Sequence, residues 1–371
     1  MTKVRHLPPL PRIPVFDVII YFSFFYRDWH QNIKSLTFTG IPGIFRVLEL
    51  MKIHIPNSVW LGNIDPFLRS FDTSNSNKLE ISAHEQWISV HPVVLSMVAV
   101  LGLDCKPEDV AFPNLEAKSK HYLERMGLFR LLGVESGIKI TEHEPSGRFI
   151  PLTQIKEVGT LEAFIEDVIP LLHLKPQQAQ PIRYILSELT RNVFEHSQSK
   201  TGAILCAQYY EKSHTIRLGI VDRGIGIKQT ISNAYPAQND TDAIKLALSP
   251  GITGTTRRIG GTAQNVGAGL FFIKSIAKTN RDFFMIYSGN GIYKLLKTGL
   301  KQKVRLYADP LRDKHSESNN LPYWQGTAIG VDMNLDSPEE FNDLLSIVYD
   351  VFQKTIKARR KEYYQKKARF I

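Results

Sequence analysis

Glu188 and Asn192 stand four residues apart in Ile185-Leu-Ser-Glu188-Leu-Thr-Arg-Asn192-Val-Phe-Glu195-His196. On a helix, that spacing puts a carboxylate and a carboxamide on one face. A carboxylate so placed can take a proton from an attacking nucleophile. An asparagine oxygen suits Mg²⁺, a hard ion that keeps most of its waters and shares phosphate oxygens. Val221-Asp222-Arg-Gly224-Ile-Gly226 then ends an apolar run with an acid and two glycines. Asp222 at a strand end can accept from an exocyclic amine such as that of adenine, and Gly224 and Gly226 let backbone approach a flat ring. Gly267-Ala-Gly269-Leu270 precedes an apolar helical run, so free N–H groups at a helix start can face an anion. Each motif alone is ordinary. An acid and an amide four apart fit a plain surface helix, and Asp-Arg-Gly is good turn chemistry. No Gly-x-x-x-x-Gly-Lys-Ser/Thr loop occurs in the chain.

The elements that must hold these residues are legible in outline. Residues 177–197 read as one long helix carrying Glu188 and Asn192, preceded by a helix over 161–172. Residues 202–208 and 215–222 read as two strands joined by a hairpin, the second ending at Asp222. Residues 228–266 read as a long variable stretch, glycine- and threonine-rich, with Arg257 and Arg258 able to meet phosphate. A helix follows from Gly267 to Thr279, with strands over 283–288, 293–296, 304–308 and 326–335. Ser337 caps a final helix. Upstream, residues 16–25 read as a strand or buried helix and 43–53 as a helix. Residues 87–90 and 138–142 read as strands. His91-Pro92 opens a helix through Leu101, and a helix over 121–132 is interrupted at Gly127. Helices alternating with strands give an α/β fold. The punctuation divides the chain into a small α/β region (1–150), the motif-bearing region (151–340) and a C-terminal helix with a basic tail (341–371).

The chain has 371 residues, 43% hydrophobic and 22% charged, which is ordinary globular composition. Its two cysteines, Cys105 and Cys206, form neither a disulfide framework nor a metal pattern, so a reducing, cytoplasmic setting is expected. The run from Val15 to Tyr26 contains Asp17 and is too short to span a bilayer, so no membrane is expected. Net charge is +10. Part of the excess sits at the end, where Lys354, Lys357, Arg359, Arg360, Lys361, Lys366, Lys367 and Arg369 face one acid, Glu362. Such a segment is a solvated basic helix or a surface for phosphate backbones or partner proteins.

Taken together and in order, Glu188-x-x-x-Asn192, Asp222-x-Gly224-x-Gly226, Gly267-x-Gly269-Leu270 and Gly326-Thr327 resemble the motifs of the GHKL ATPases. That family takes in gyrase-type topoisomerases, sensor histidine kinases and anti-sigma serine kinases, and the resemblance covers about residues 155–335. It implies a two-layer α/β sandwich with a mixed sheet, binding ATP and Mg²⁺. It gives Asn192 the metal, Glu188 the general-base role, Asp222 the adenine amine, Gly226 the base, Gly267 and Gly269 the phosphates, and Thr327 a supporting contact to adenine. Leu270 follows in the same motif. The run from Leu186 to Ser197 is closest in style to the anti-sigma kinases. Glu195 is a further candidate for the metal side, and His196 reads as a packing residue. Trp87-Ile-Ser-Val-His-Pro-Val-Val-Leu-Ser-Met and Tyr122-Leu-Glu-Arg-Met-Gly127-Leu-Phe resemble a STAS-like domain over about residues 15–145, which implies docking or regulation. The functions implied are ATP hydrolysis or phosphorylation of a partner protein. A non-enzymatic ATP switch and a nucleic-acid-associated ATPase using the basic tail are the alternatives, and a homodimer is compatible with each.

Overall fold

A computed structural model describes residues 50–70, 77–86, 89–113, 115–138, 149–254, 256, 267–336 and 341–367. Residues 48–371 form one compact unit, and the boundary expected near residue 150 falls inside it. The expectations for 16–25, for Ser337 and for most of 138–142 fall outside the described residues.

The strands are β1 (Leu50–Ile55), β2 (Ser58–Val59), β3 (Lys78–Ala83), β4 (Ser89–Val90), β5 (Val110–Ala111), β6 (Phe149–Ile155), β7 (Ala203–Tyr210), β8 (Thr215–Asp222), β9 (Phe284–Gly289), β10 (Gly291–Leu295), β11 (His315–Ser318) and β12 (Trp324–Asn334). The helices are α1 (Asp65–Arg69), α2 (Pro92–Leu103), α3 (Ala117–Arg125), α4 (Leu128–Leu132), α5 (Leu161–Val168), α6 (Pro176–Asn192), α7 (Gly226–Ser232), α8 (Asp240–Ala247), α9 (Gly269–Thr279) and α10 (Phe341–Lys367). Among the described residues, none of these helices is long and apolar enough to cross a membrane.

The fold is α/β with both parallel and antiparallel pairing. Seven strands form one sheet in the order β11-β10-β9-β12-β8-β7-β6. Each neighbouring pair in it is antiparallel. The mixed sheet expected for the motif-bearing region is thus corrected: parallel pairing lies in the small β1-β3-β5 and β2-β4 sheets. The short β7–β8 and β9–β10 connections account for part of this, because a tight turn can join only antiparallel neighbours.

Side chains on a strand alternate between faces, and here both faces are apolar. Leu205, Leu218, Ile220, Ile286 and Val331 face one core, closed by α5, α6, α9 and α10. Ile204, Cys206, Val221, Met285 and Ala328 face the other, closed by α2, α4 and the β1–β3 region. The sheet is therefore the middle of three layers. Helix α2 lies directly on it at Gly219, where a Cβ would come 2.2 Å from the Val93 backbone.

Four local expectations are corrected. Residues 50–53 belong to a strand, because Met51, Ile53 and Ile55 are buried in alternation against β3's layer. The stretch 228–266 contains helical structure: α7 buries Ile227 and Ile231, and α8 is capped by Asn239, which accepts from the Asp242 N–H at 2.8 Å. Residues 304–308 are irregular, and the edge partner of β10 is β11. The buried Lys274 ammonium holds that irregular stretch by donating to the Tyr307 carbonyl at 3.3 Å. The helix expected over 177–197 stops being regular at Asn192, and residues Val193–Ser197 form a π-turn.

Candidate functional site

Helix α6 buries Ile182, Ile185, Leu186 and Leu189, which turns Glu188 and Asn192 toward a cavity. The π-turn after Asn192 widens the helix where its last turn reaches that cavity, a distortion common at functional sites. The Glu188 carboxylate lies 3.4 Å from the Arg191 guanidinium. Burial raises its pKa, Arg191 opposes this, and Glu195 adds to it. The Asn192 amide nitrogen is buried and has no hydrogen-bond partner. A buried amide left open in this way has capacity for one more polar contact.

Asp222 ends β8 at 3% exposure. Burial pushes its carboxyl up to about 7, against the pull of backbone hydrogen bonds from Gly224 and Thr327. The Gly224 N–H donates to it at 2.7 Å. Thr327 is its cross-strand partner on β12. Gly226 starts α7 at φ 78°, which L side chains rarely adopt. Ser288 fixes this corner by donating to the Gly326 carbonyl at 2.7 Å and accepting from the Ile227 N–H at 3.0 Å.

Gly269 opens α9 against the α6 pair. A Cβ there would lie 2.6 Å from the Glu188 carboxylate and 3.8 Å from the Asn192 amide. Gly267, at φ 65°, accepts from the Gly251 N–H at 2.9 Å, so the two ends of the 251–267 segment are clasped together. Beside the clasp, the Arg359 guanidinium of α10 donates to the Pro250 carbonyl at 2.6 Å.

These pieces enclose a cavity of about 290 Å³. Glu188, Asn192, Asp222, Gly226, Gly267, Gly269, Leu270 and Thr327 all line it. Gly224 does not. It sits behind the wall against the Ser197 carbonyl, where a Cβ would come within 1.9 Å, and it serves by orienting Asp222. Glu195 and His196 also reach the rim, their side chains 3.8 Å apart. Burial lowers the His196 pKa. Arg257 and Arg258 lie outside the described residues.

The reading of motifs missed the apolar wall of Leu189, Ile220, Ile231 and Ile329, and the hydroxyl of Thr230. Thr230 donates to the Gly226 carbonyl at 3.0 Å. Helical spacing of Ile227, Thr230 and Ile231 was the available signal for it. Among the described residues, no cluster of three or more His, Cys, Asp or Glu is placed to hold a metal. A cation here would therefore need a ligand's own oxygens and water beside the Asn192 amide. No protein-family model matches the chain, and no curated protein matches it.

Proposed function

We propose that the cavity is a nucleotide site of the GHKL type, which binds ATP with Mg²⁺ and transfers the terminal phosphoryl group. The observation that carries this reading is convergence. Four segments distant in sequence, at 188–192, 222–226, 267–270 and 327, contribute to one cavity wall. The face of the seven-stranded sheet that carries the cavity is covered by α5, α6, α9 and α10, which supports a sheet-and-helix sandwich for 155–335, although its pairing is antiparallel and a further layer covers the other face.

Each residue has a chemical reason for its part. The Asp222 carboxylate, fixed by the Gly224 N–H, accepts from adenine's exocyclic amine. Gly226, at φ 78°, brings its backbone to the cavity wall beside the ring, and Ile220, Ile231 and Ile329 supply apolar surface around it. The N-terminus of α9 at Gly269, with Gly267 before it, presents backbone N–H groups to phosphate. The Asn192 side-chain oxygen would hold Mg²⁺, and its buried, unpartnered amide nitrogen would donate to an oxygen of the ligand. That ion, when bound, would neutralise phosphate charge while retaining water and phosphate ligands. Glu188, held half-buried with a raised pKa, takes the proton from the attacking hydroxyl. The acceptor is water or a partner protein's serine. The described residues between 50 and 132 that form the second core pack on the sheet's far face, away from this chemistry, and we assign them the docking or regulatory role of a STAS-like domain.

Calorimetric titration with Mg²⁺ and ATP tests the site: saturable heat is expected, and its absence would remove the reading. Incubation with terminally labelled ATP then separates the acceptors, as free phosphate or as phosphoprotein when candidate partners are added.

A further inference from the structure

Helix α10 runs from Phe341 to Lys367 and uses its faces differently along its length. Leu344, Val348, Phe352 and Ile356 recur at i, i+4, i+8 and i+12 and are buried in the core. This anchors the helix against the helical layer. From Lys354 onward, the opposite side is basic. Lys354, Lys357 and Lys361 recur at i, i+3 and i+7, so they share one stripe, and all three are exposed. Arg360 flanks the stripe and is exposed too. Tyr364 continues it at 67% exposure, beside Tyr363 at 48%. Asp350 marks where the stripe begins, and Glu362 projects from another side of the helix.

We propose that this stripe binds the phosphate backbone of single-stranded nucleic acid, with Tyr364 stacking on a base. From Lys354 to Tyr364 it is about 15 Å long at the helical rise. That length meets several successive phosphates. Cations interleaved with exposed aromatic rings are the combination that tracks single strands without reading sequence. A membrane surface fits less well. An interfacial helix must give its apolar face to lipid, and the apolar face of α10 is already buried in the protein. An acidic protein would engage the lysines and leave Tyr364 without a purpose. The net charge of +10 favours any such polyanion at long range. This inference does not depend on the cavity's ligand.

The test is fluorescence anisotropy of a short labelled single-stranded oligonucleotide, DNA and RNA in turn, with the full chain over a salt series. Log affinity is expected to fall linearly with log salt, with a slope of about −2 to −3 for three to four phosphate contacts. Lys357→Glu with Lys361→Glu is expected to weaken binding at least about tenfold and to flatten the slope by about one to two. Tyr364→Ala is expected to cost about fivefold or more on single strands and little on duplex. Both variants alter exposed positions, so unchanged thermal unfolding midpoints verify that the fold is kept. Oligonucleotide affinity unaltered by the charge reversals would overturn the proposal. So would equal affinity for blunt duplex, poly-glutamate or phosphatidylserine vesicles.

Discussion

Asp222 combines a buried carboxyl, a pKa near 7 and a fixed hydrogen bond from Gly224. Its ionised form accepts from an amine, and its protonated form does so less well. Adenosine, which has no phosphates of its own to titrate, should therefore bind up to about tenfold more tightly at pH 8 than at pH 6. In Asp222→Asn this pH dependence should vanish, and affinity should fall about 10- to 100-fold, because an amide donor would face the amine donor. Titration calorimetry at the two pH values reads both effects. Stability moves the opposite way. An acid whose folded pKa is raised from 3.8 to about 7 favours the folded state while protonated. That contribution is lost as pH rises from about 4 through about 7. The Asp222→Asn variant should thus gain on the wild type in thermal midpoint across that window, even as it loses ligand. Glu188 answers to a different measurement. Glu188→Gln should keep nucleotide affinity and lower turnover about 10²- to 10⁴-fold, the usual worth of a general base, as read by phosphate release. Unchanged turnover would take Glu188 out of the chemistry.

At the scale of elements, glycines decide how closely segments approach. Gly219 lets α2 rest on β8, with the Val93 backbone 2.2 Å from where a Cβ would stand. Backbone on both sides cannot yield cheaply, so Gly219→Ala should cost about 3 kcal/mol or more, measured by urea unfolding. The cavity lies on the other sheet face, so ligand affinity at low temperature should survive in that variant. The motif residues were legible in the chain because their chemistry and spacing are local: Glu188 and Asn192 share a helix turn, and Asp222 sits two residues from Gly224. The strands β7, β8 and β12 were legible by their long apolar runs. What escaped depends on long-range packing. Leu50–Ile55 carries enough apolar residues to read as helix, and only its pairing with β3 makes it a strand. Val304–Ala308 has strand-like residues, yet Lys274 fastens it as a loop and β10 takes His315–Ser318 instead. Ser288, which ties Gly326 to α7, has no local motif to announce it.

Among the described residues, packed side chains cover both faces of the seven-stranded sheet. A chain beginning at residue 149 would expose Ile204, Val221, Met285, Tyr287 and Ala328 at once. An apolar surface of that kind drives association, so this fragment should elute from size exclusion as aggregate while the full chain does not. One buried polar link also joins the layers. His91 accepts from the Val93 N–H on Nδ1 and donates from Nε2 to Asp332 at 2.9 Å. Burial lowers the His91 pKa, which keeps the ring neutral. His91→Ala would remove this donor and leave Arg217, 3.6 Å away, as the cation beside the Asp332 carboxylate, and should cost about 1–3 kcal/mol in denaturant unfolding. Arg359 makes a further connection, from the outer helix to the Pro250 carbonyl beside the clasped glycines 251 and 267. Arg359→Ala should untie the outermost helix from the backbone beside this clasp, which faster amide-hydrogen exchange at Gly251 would register.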